Sequence, residues 1–369
     1  MSTTPRTSPS APDGSAHQPL LQRALDRRSL LRGLPAAAAV AAVAGAAVSS
    51  PATAASRTVV RRVTSPVARP AIFSSRGLTV TSDIRVSDRL WDFRFRTAAM
   101  TLFEPSIRVI LPNGYDQNPG RRYPVLLLLH GGHPEGGMNG NFLDWTLHGG
   151  IADRETVGQD VIIVCPDGGN GGFYVNWKGP QGATVNWEEF HIPQLMNWMD
   201  DNFRTIVGWK TKAVAGLSMG GYGALTYAAR NPDVFSSASA YSGPCDVFDA
   251  AVNADMTVSP VVDGQSPGSI FQGDSTMMQL WNPRSPVLVE VYRQLRVYVS
   301  SGDGATNQPP ADIQEIAVRG TMDAFTNDLR VRGIGFTYNR MPYATHDWVN
   351  WRDNFHRDLP GILGSLPHQ

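Results

Sequence analysis

Cysteine is nearly absent: the 369-residue chain holds only Cys165 and Cys245. That excludes a disulfide scaffold and leaves room for one bridge at most. Neither sign of charge is in excess, with 32 basic and 32 acidic residues, so nothing favours nucleic acid or an anionic membrane as a partner. No run of 18 uncharged, strongly apolar residues occurs, which argues against a spanning helix. H-E-x-x-H, C-x-x-C and EF-hand spacings are missing, so no metal is expected. "DGGNGG" lacks the Lys-Ser/Thr of a phosphate loop, and no G-x-G-x-x-G opens a helix. No nucleotide or other cofactor is therefore expected.

What is present begins with a front end unlike the rest. Residues 1–55 run from a Ser/Pro-rich lead through "DRRSLLRG" to the Ala-rich "LPAAAAVAAVAGAAV". The pair Arg27 and Arg28 before a mild apolar region resembles a twin-arginine export signal, with an A-x-A cleavage site near Ala52-Thr53-Ala54. The alternative is an Ala-rich tail without a targeting role. No cysteine follows the apolar run, so there is no place for a lipid anchor there. The expectation is a secreted protein whose mature chain has 27 basic and 30 acidic residues, slightly acidic in balance. Residues 56–77 are Arg/Ser/Pro-rich and read as a flexible leader. Residues 78–369 read as a single catalytic domain, expected to act as a monomer.

That domain alternates between two patterns. "YPVLLLLHGG" and "DVIIVCPDGG" are apolar runs ending in turns, as strands buried on both faces do. "LTVTSDIRV", "EPSIRVILP", "TKAVAGLS", "FSSASAYSG", "LRVYVSSGDG" and "IGFTYNRMP" read as further strands. "WEEFHIPQLMNWMDDNF", "GGYGALTYAARNP", residues 311–332 and the stretch after "THDW" have helical spacing. Strands alternating with helices predict an α/β fold with a mainly parallel sheet. Residues 250–285 are rich in Pro, Gly and Asp without periodicity, and read as a long insertion or loop region.

"KAVAGLSMGGYGALTYAARNP" places Ser218 between Gly216 and Gly220, where a strand turns into a helix. In a chain with 36 glycines the Gly-x-Ser-x-Gly spacing alone is weak. At a strand-to-helix junction it describes a nucleophile elbow, the alternative being a glycine-rich packing turn. The chain order Ser, acid, His removes His130, His133, His148 and His191 as the base. Of the three histidines after Ser218, His356 lies inside the last helix and His368 near the chain end. His346, in the loop before that helix, is the expected base. The expected acid is Asp303, at the end of the strand "RVYVSS". Asp312, Glu315 and Glu290 are rivals, the first two read as surface charges of a helix, and Asp303 could instead cap its own turn. Two N–H donors must face a developing oxyanion. Met219 follows the nucleophile, and Gly132, or Gly131, follows the strand "LLLLH". Trp145, Trp177, Trp187, Trp348 and Trp351 could line a cleft or pack the core. Trp348 and His133 are the residues expected to touch substrate.

"HGG" after a buried strand, "GLSMGG" and "THDW" before the last helix resemble the secreted esterase family that includes esterase-D-type enzymes, feruloyl esterases and antigen 85-type mycolyltransferases. "GGNGGFYVNW" and "WEEFHIPQL" are similar to that family's active-site loop and following helix. The resemblance spans roughly residues 78–366 and implies an α/β-hydrolase fold with helices on both faces of the sheet. It also implies the roles given above for Ser218, Met219, Gly132 and His346. Two departures from the mycolyltransferases favour general ester hydrolysis. His130-Gly131-Gly132 stands where those enzymes have Leu-Asp-Gly, and the position of their catalytic glutamate falls on Gln308. The strand order implied by the family puts Cys165 and Cys245 on opposite sides of the central strands, beyond bridging distance. The expected function is a secreted serine esterase acting on a small-molecule, lipid or polysaccharide ester. An acyltransferase using a sugar or glycerol hydroxyl, and a non-catalytic binding protein on the same scaffold, are the rivals.

Overall fold

A computed structural model describes residues 71–132, 141–306 and 310–368. The expected export signal, residues 1–55, lies outside the described residues. Nine strands form one sheet: β1 (Thr79–Arg85), β2 (Leu90–Arg96), β3 (Ser106–Ile110), β4 (Val125–Leu129), β5 (Ile162–Pro166), β6 (Lys212–Leu217), β7 (Phe235–Tyr241), β8 (Arg296–Ser301) and β9 (Thr337–Arg340). Their order is β1-β2-β3-β5-β4-β6-β7-β8-β9. The first three strands and the β3/β5 pair are antiparallel; from β5 to β9 every pair is parallel. This is the α/β-hydrolase fold with a mostly parallel central sheet.

The central strands β4, β5 and β6 are buried at every position because both faces are covered. β4 divides its side chains between two cores: Val125, Leu127 and Leu129 join one hydrophobic cluster, Leu126 and Leu128 the other. β2 was not singled out in the sequence. Its Phe93 and Phe95 are buried and alternate with Asp92, Arg94 and Arg96, the signature of a strand with one wet face.

The helices that frame the site are α1 (Asn197–Asn202), α2 (Met219–Arg230), α3 (Ala250–Val258), α4 (Ile313–Val331) and α5 (Trp348–Gly364). A π-helical stretch, Phe190–Met196, leads into α1 and contains Pro193, which has no N–H to give a regular helix. Residues ahead of β1 are tied to α1. The Phe73 N–H donates to Asn202 Oδ1 at 2.8 Å, and Ser75 and Arg76 donate to the Asp201 carboxylate at 2.7–2.8 Å.

The region 250–285 is more ordered than its composition implied. It holds α3, a 3₁₀ turn Ser259–Asp263 and a short helix Ser275–Leu280. Asp249 caps α3 by accepting from the Ala251 and Val252 N–H groups, and Asp274 caps the last helix through Met277. Caps set these elements where no long apolar stripe does. Cys165 on β5 and Cys245 after β7 are buried and free, with β4 and β6 between their strands.

Candidate active site

Ser218 occupies the single residue between β6 and α2, at φ 51° and ψ −123°. A non-glycine residue is rare there, and the strain persists because both sides are packed. A Cβ on Gly216 would lie 2.2 Å from the Gly220 carbonyl oxygen, and one on Gly220 would lie 2.4 Å from the Leu129 and His130 oxygens. Only glycine allows strand, helix and neighbouring strand to come this close. The Ser218 N–H donates to the Tyr241 carbonyl at 2.8 Å and pins the turn to β7. Met219 is the first helical residue, so its N–H has no intrahelical acceptor and points out of the helix start.

His346 lies between β9 and α5. Asp347 caps α5 by accepting from Val349 and Asn350 N–H, and the Asn350 side chain donates to the Thr345 carbonyl. The loop is therefore fixed on the helix it precedes. The imidazole Nε2 stands 2.8 Å from Ser218 Oγ, and Nδ1 stands 2.6 Å from Glu315 Oε2. A carboxylate only accepts, so Nδ1 carries the hydrogen and Nε2 is left to accept from the serine hydroxyl. The Trp351 ring meets the imidazole edge-to-face at 4.9 Å.

The carboxylate that meets His346 is not the one expected from the sequence. Asp303 was expected to orient His346; its Oδ1 accepts from the Ala305 N–H at 2.9 Å instead. The Ala305 and Tyr343 N–H groups hold this carboxyl below the usual carboxylate range. It caps its own loop. Glu315, in the first turn of α4, meets the imidazole. Glu315 is fully buried, and its other oxygen accepts from Ser242 Oγ at 2.8 Å and the Gly302 N–H at 2.5 Å. Asp312 caps α4 through Gln314 and Glu315 N–H, and its second oxygen accepts from the His346 N–H at 2.6 Å. Glu290 pairs with Arg293 and Arg332 on the surface.

Glu315 could have been found. On α4 the buried residues Val318, Met322, Phe325 and Leu329 follow helical spacing, and Glu315 falls on the same stripe. A carboxylate on the apolar face of a helix needs a buried partner. Gln308, the position suggested by the family likeness, lies outside the described residues.

The loop after β4 passes over the elbow. A Cβ on Gly131 would lie 3.3 Å from Ser218 Cβ, and one on Gly132 would lie 3.2 Å from the Asn170 carbonyl and 4.0 Å from Met219 Sδ. Gly132 and Met219 thus sit side by side. Buried His130 joins this loop to the next: Nε2 accepts from the Gly168 N–H at 2.7 Å, which leaves Nδ1 to donate to the Gly131 carbonyl at 2.6 Å. Deeper, His191 bonds the Tyr227 hydroxyl and the Asp167 carbonyl. Burial holds His191 neutral, down to about 3, and pushes the Asp167 carboxyl up to about 6.

His133 lies outside the described residues. Trp348 is half-buried and engaged in packing: its ring stacks on His148 at 4.3 Å and meets Trp145 and Trp351 edge-on. Trp145, Trp177, Trp187 and Trp351 are buried.

A serine, a histidine and a buried glutamate in one hydrogen-bonded line are joined by a match of residues 100–362 to the family described as "Putative esterase". The chain belongs to this esterase family. It is 36% identical over 300 residues to Esterase Rv1288 of Mycobacterium tuberculosis (strain ATCC 25618 / H37Rv), covering 79% of this chain and 62% of that protein. The chain thus spans under two thirds of that relative's length. It is 27% identical over 281 residues to the diacylglycerol acyltransferase/mycolyltransferase Ag85B of Mycobacterium leprae (strain TN), covering 68% of this chain and 78% of that one. Among solved structures, Mycobacterium tuberculosis MPT51 aligns with a TM-score of 0.58 at 22% identity, over 72% of this chain and 94% of that chain. A ferulic acid esterase aligns with a TM-score of 0.55 at 21% identity, over 75% and 98%. These two carry the same fold. No helix among the described residues is long and apolar enough to cross a membrane.

Proposed function

We propose that this esterase-family chain is a secreted serine ester hydrolase acting through Ser218, His346 and Glu315. The observation that carries the proposal is the pair of contacts through His346, 2.8 Å to Ser218 Oγ and 2.6 Å to Glu315 Oε2. Ser218 Oγ attacks the ester carbonyl as His346 Nε2 takes its proton, and Glu315 stabilises the imidazolium that results. The Met219 and Gly132 N–H groups receive the oxyanion. His346 then passes the proton to the departing alcohol, and water, activated by the same imidazole, releases the acid and frees Ser218. Residues 1–55 serve as the export signal in this proposal.

A fluorophosphonate probe tests it. The wild-type chain is expected to be labelled and to hydrolyse nitrophenyl esters, while Ser218→Ala does neither. An unlabelled wild-type chain would favour a non-catalytic binding protein on the same scaffold.

One observation favours a second reading, acyl transfer. With glutamate as the acid, one of the two departures from the mycolyltransferase pattern disappears; His130-Gly131-Gly132 remains. A hydroxyl of glycerol or a sugar such as trehalose would then replace water at the acyl-enzyme. Product analysis with and without those acceptors separates the two.

A further inference from the structure

The glycine-rich loop 168–172 lies against Gly132, and what holds it is a carboxylate from the insert 250–285. Asp263 Oδ1 accepts from the Asn170 N–H at 2.9 Å and from Asn170 Nδ2 at 3.0 Å, and Oδ2 accepts from the Gly171 N–H at 2.9 Å. Asp263 closes the turn Ser259–Asp263, and a Cβ on Gly171 would lie 2.4 Å from the Ser259 carbonyl oxygen. The insert therefore lies flat on the loop. The loop's other end is held by His130 through Gly168. Between these two grips, the Asn170 carbonyl lies 3.2 Å from where a Gly132 Cβ would stand.

The loop has four glycines in five residues, so little in its own chain restricts it. At Asn170 and Gly171 three charge-assisted bonds to one carboxylate supply the restriction. Without them two adjacent N–H groups lose their acceptor, and the Asn170 carbonyl is no longer fixed against Gly132.

We propose that Asp263 is a positioning residue for the oxyanion site: by gripping Asn170 and Gly171 it keeps the Gly132 peptide aimed at the developing negative charge. This inference rests on the ester-hydrolase proposal above.

The test uses Asp263→Ala and Asp263→Asn in the full chain, read with a nitrophenyl ester and with a trifluoromethyl ketone of the same acyl length. The ketone adds Ser218 Oγ at its carbonyl carbon; the carbonyl electron pair becomes an oxyanion, and the serine proton passes to His346. Its affinity therefore reports the oxyanion site, which a merely structural role would leave intact. For Asp263→Ala, kcat is expected to fall about 10- to 100-fold with KM within about threefold, and ketone affinity to fall by a like factor. Asp263→Asn keeps one oxygen and is expected to lie between, giving the same test should the alanine variant not fold. Asp274→Ala, which removes a cap and the Lys178 ion pair elsewhere in the insert, is expected to lower Tm alone. The inference is overturned if Asp263→Ala changes only Tm or only KM, or if Asp274→Ala matches its kcat loss. Full activity in Ser218→Ala would instead overturn the ester-hydrolase proposal, whatever Asp263 does.

Discussion

Replacing Glu315 by glutamine changes one atom and is expected to remove nearly all activity. The Gly302 N–H can only donate, and it lies 2.5 Å from Glu315 Oε1, where Ser242 Oγ also donates. In Glu315→Gln the amide oxygen must take that place. The amide NH2 then faces His346 Nδ1, 2.6 Å away in the parent, and Nδ1 must accept. The imidazole hydrogen moves to Nε2, which then points a donor at Ser218 and cannot take its proton. Wrong-tautomer variants of such triads lose about 10³- to 10⁴-fold in kcat, or about 4–5.5 kcal/mol of transition-state stabilisation. Asp303→Asn is expected to stay within about threefold of the parent, because its carboxylate serves the backbone N–H groups of Ala305 and Tyr343 and not His346. The assay is steady-state hydrolysis of a short nitrophenyl ester, with circular dichroism to confirm folding. A folded Glu315→Gln enzyme of near-normal kcat, beside an Asp303→Asn enzyme that is dead, would refute the reasoning and restore Asp303 as the acid.

The buried thiols of Cys165 and Cys245, both pushed well above the ordinary cysteine range by burial, are expected to resist iodoacetamide in the native chain. After unfolding without reductant, mass spectrometry should find two alkyl groups added; none added would mean a bridge. The depressed His191, at about 3, contributes stability that is complete above its unfolded value near 6.5 and is lost as pH falls toward 3. Asp167, raised to about 6, has the opposite sign: its contribution is complete below its unfolded value of 3.8 and is lost as pH rises through 6. The two slopes oppose each other between pH 4 and 6, so His191→Gln should become more stable as pH is lowered across that range. Urea midpoints at pH 4, 5 and 6 measure this; a variant whose pH slope equals the parent's would refute it.

The sheet could be read from the sequence because its central strands are covered on both sides, which leaves uninterrupted apolar runs such as "VLLLL". The turn at Ser218 could be read because close approach at Gly216 and Gly220 admits no side chain, and its contact with His346 because chain order left that residue as the loop histidine before the last helix. Glu315 as the partner of His346 was not legible because a helix carboxylate is ordinarily a surface charge; its place on the stripe of Val318 and Met322 is the contrary sign. β2 is legible in the alternation of Phe93 and Phe95 with charged neighbours. The insert was not legible: its short helices are set by Asp249 and Asp274 caps and by contact with the 168–172 loop, not by any period. Trp348 illustrates the same limit, since sequence proximity to His346 says nothing of which way a helix turns its ring.

The hydrogen bond between Ser218 and His346 joins positions 128 apart in the chain. Contacts between such distant positions demand costly loop closure and depend on everything between them being in place. In a refolding experiment, ester turnover would therefore keep time differently from circular dichroism: helix signal can return piecemeal, while the first product molecule signals that the C-terminal helix has docked and the chain is finished.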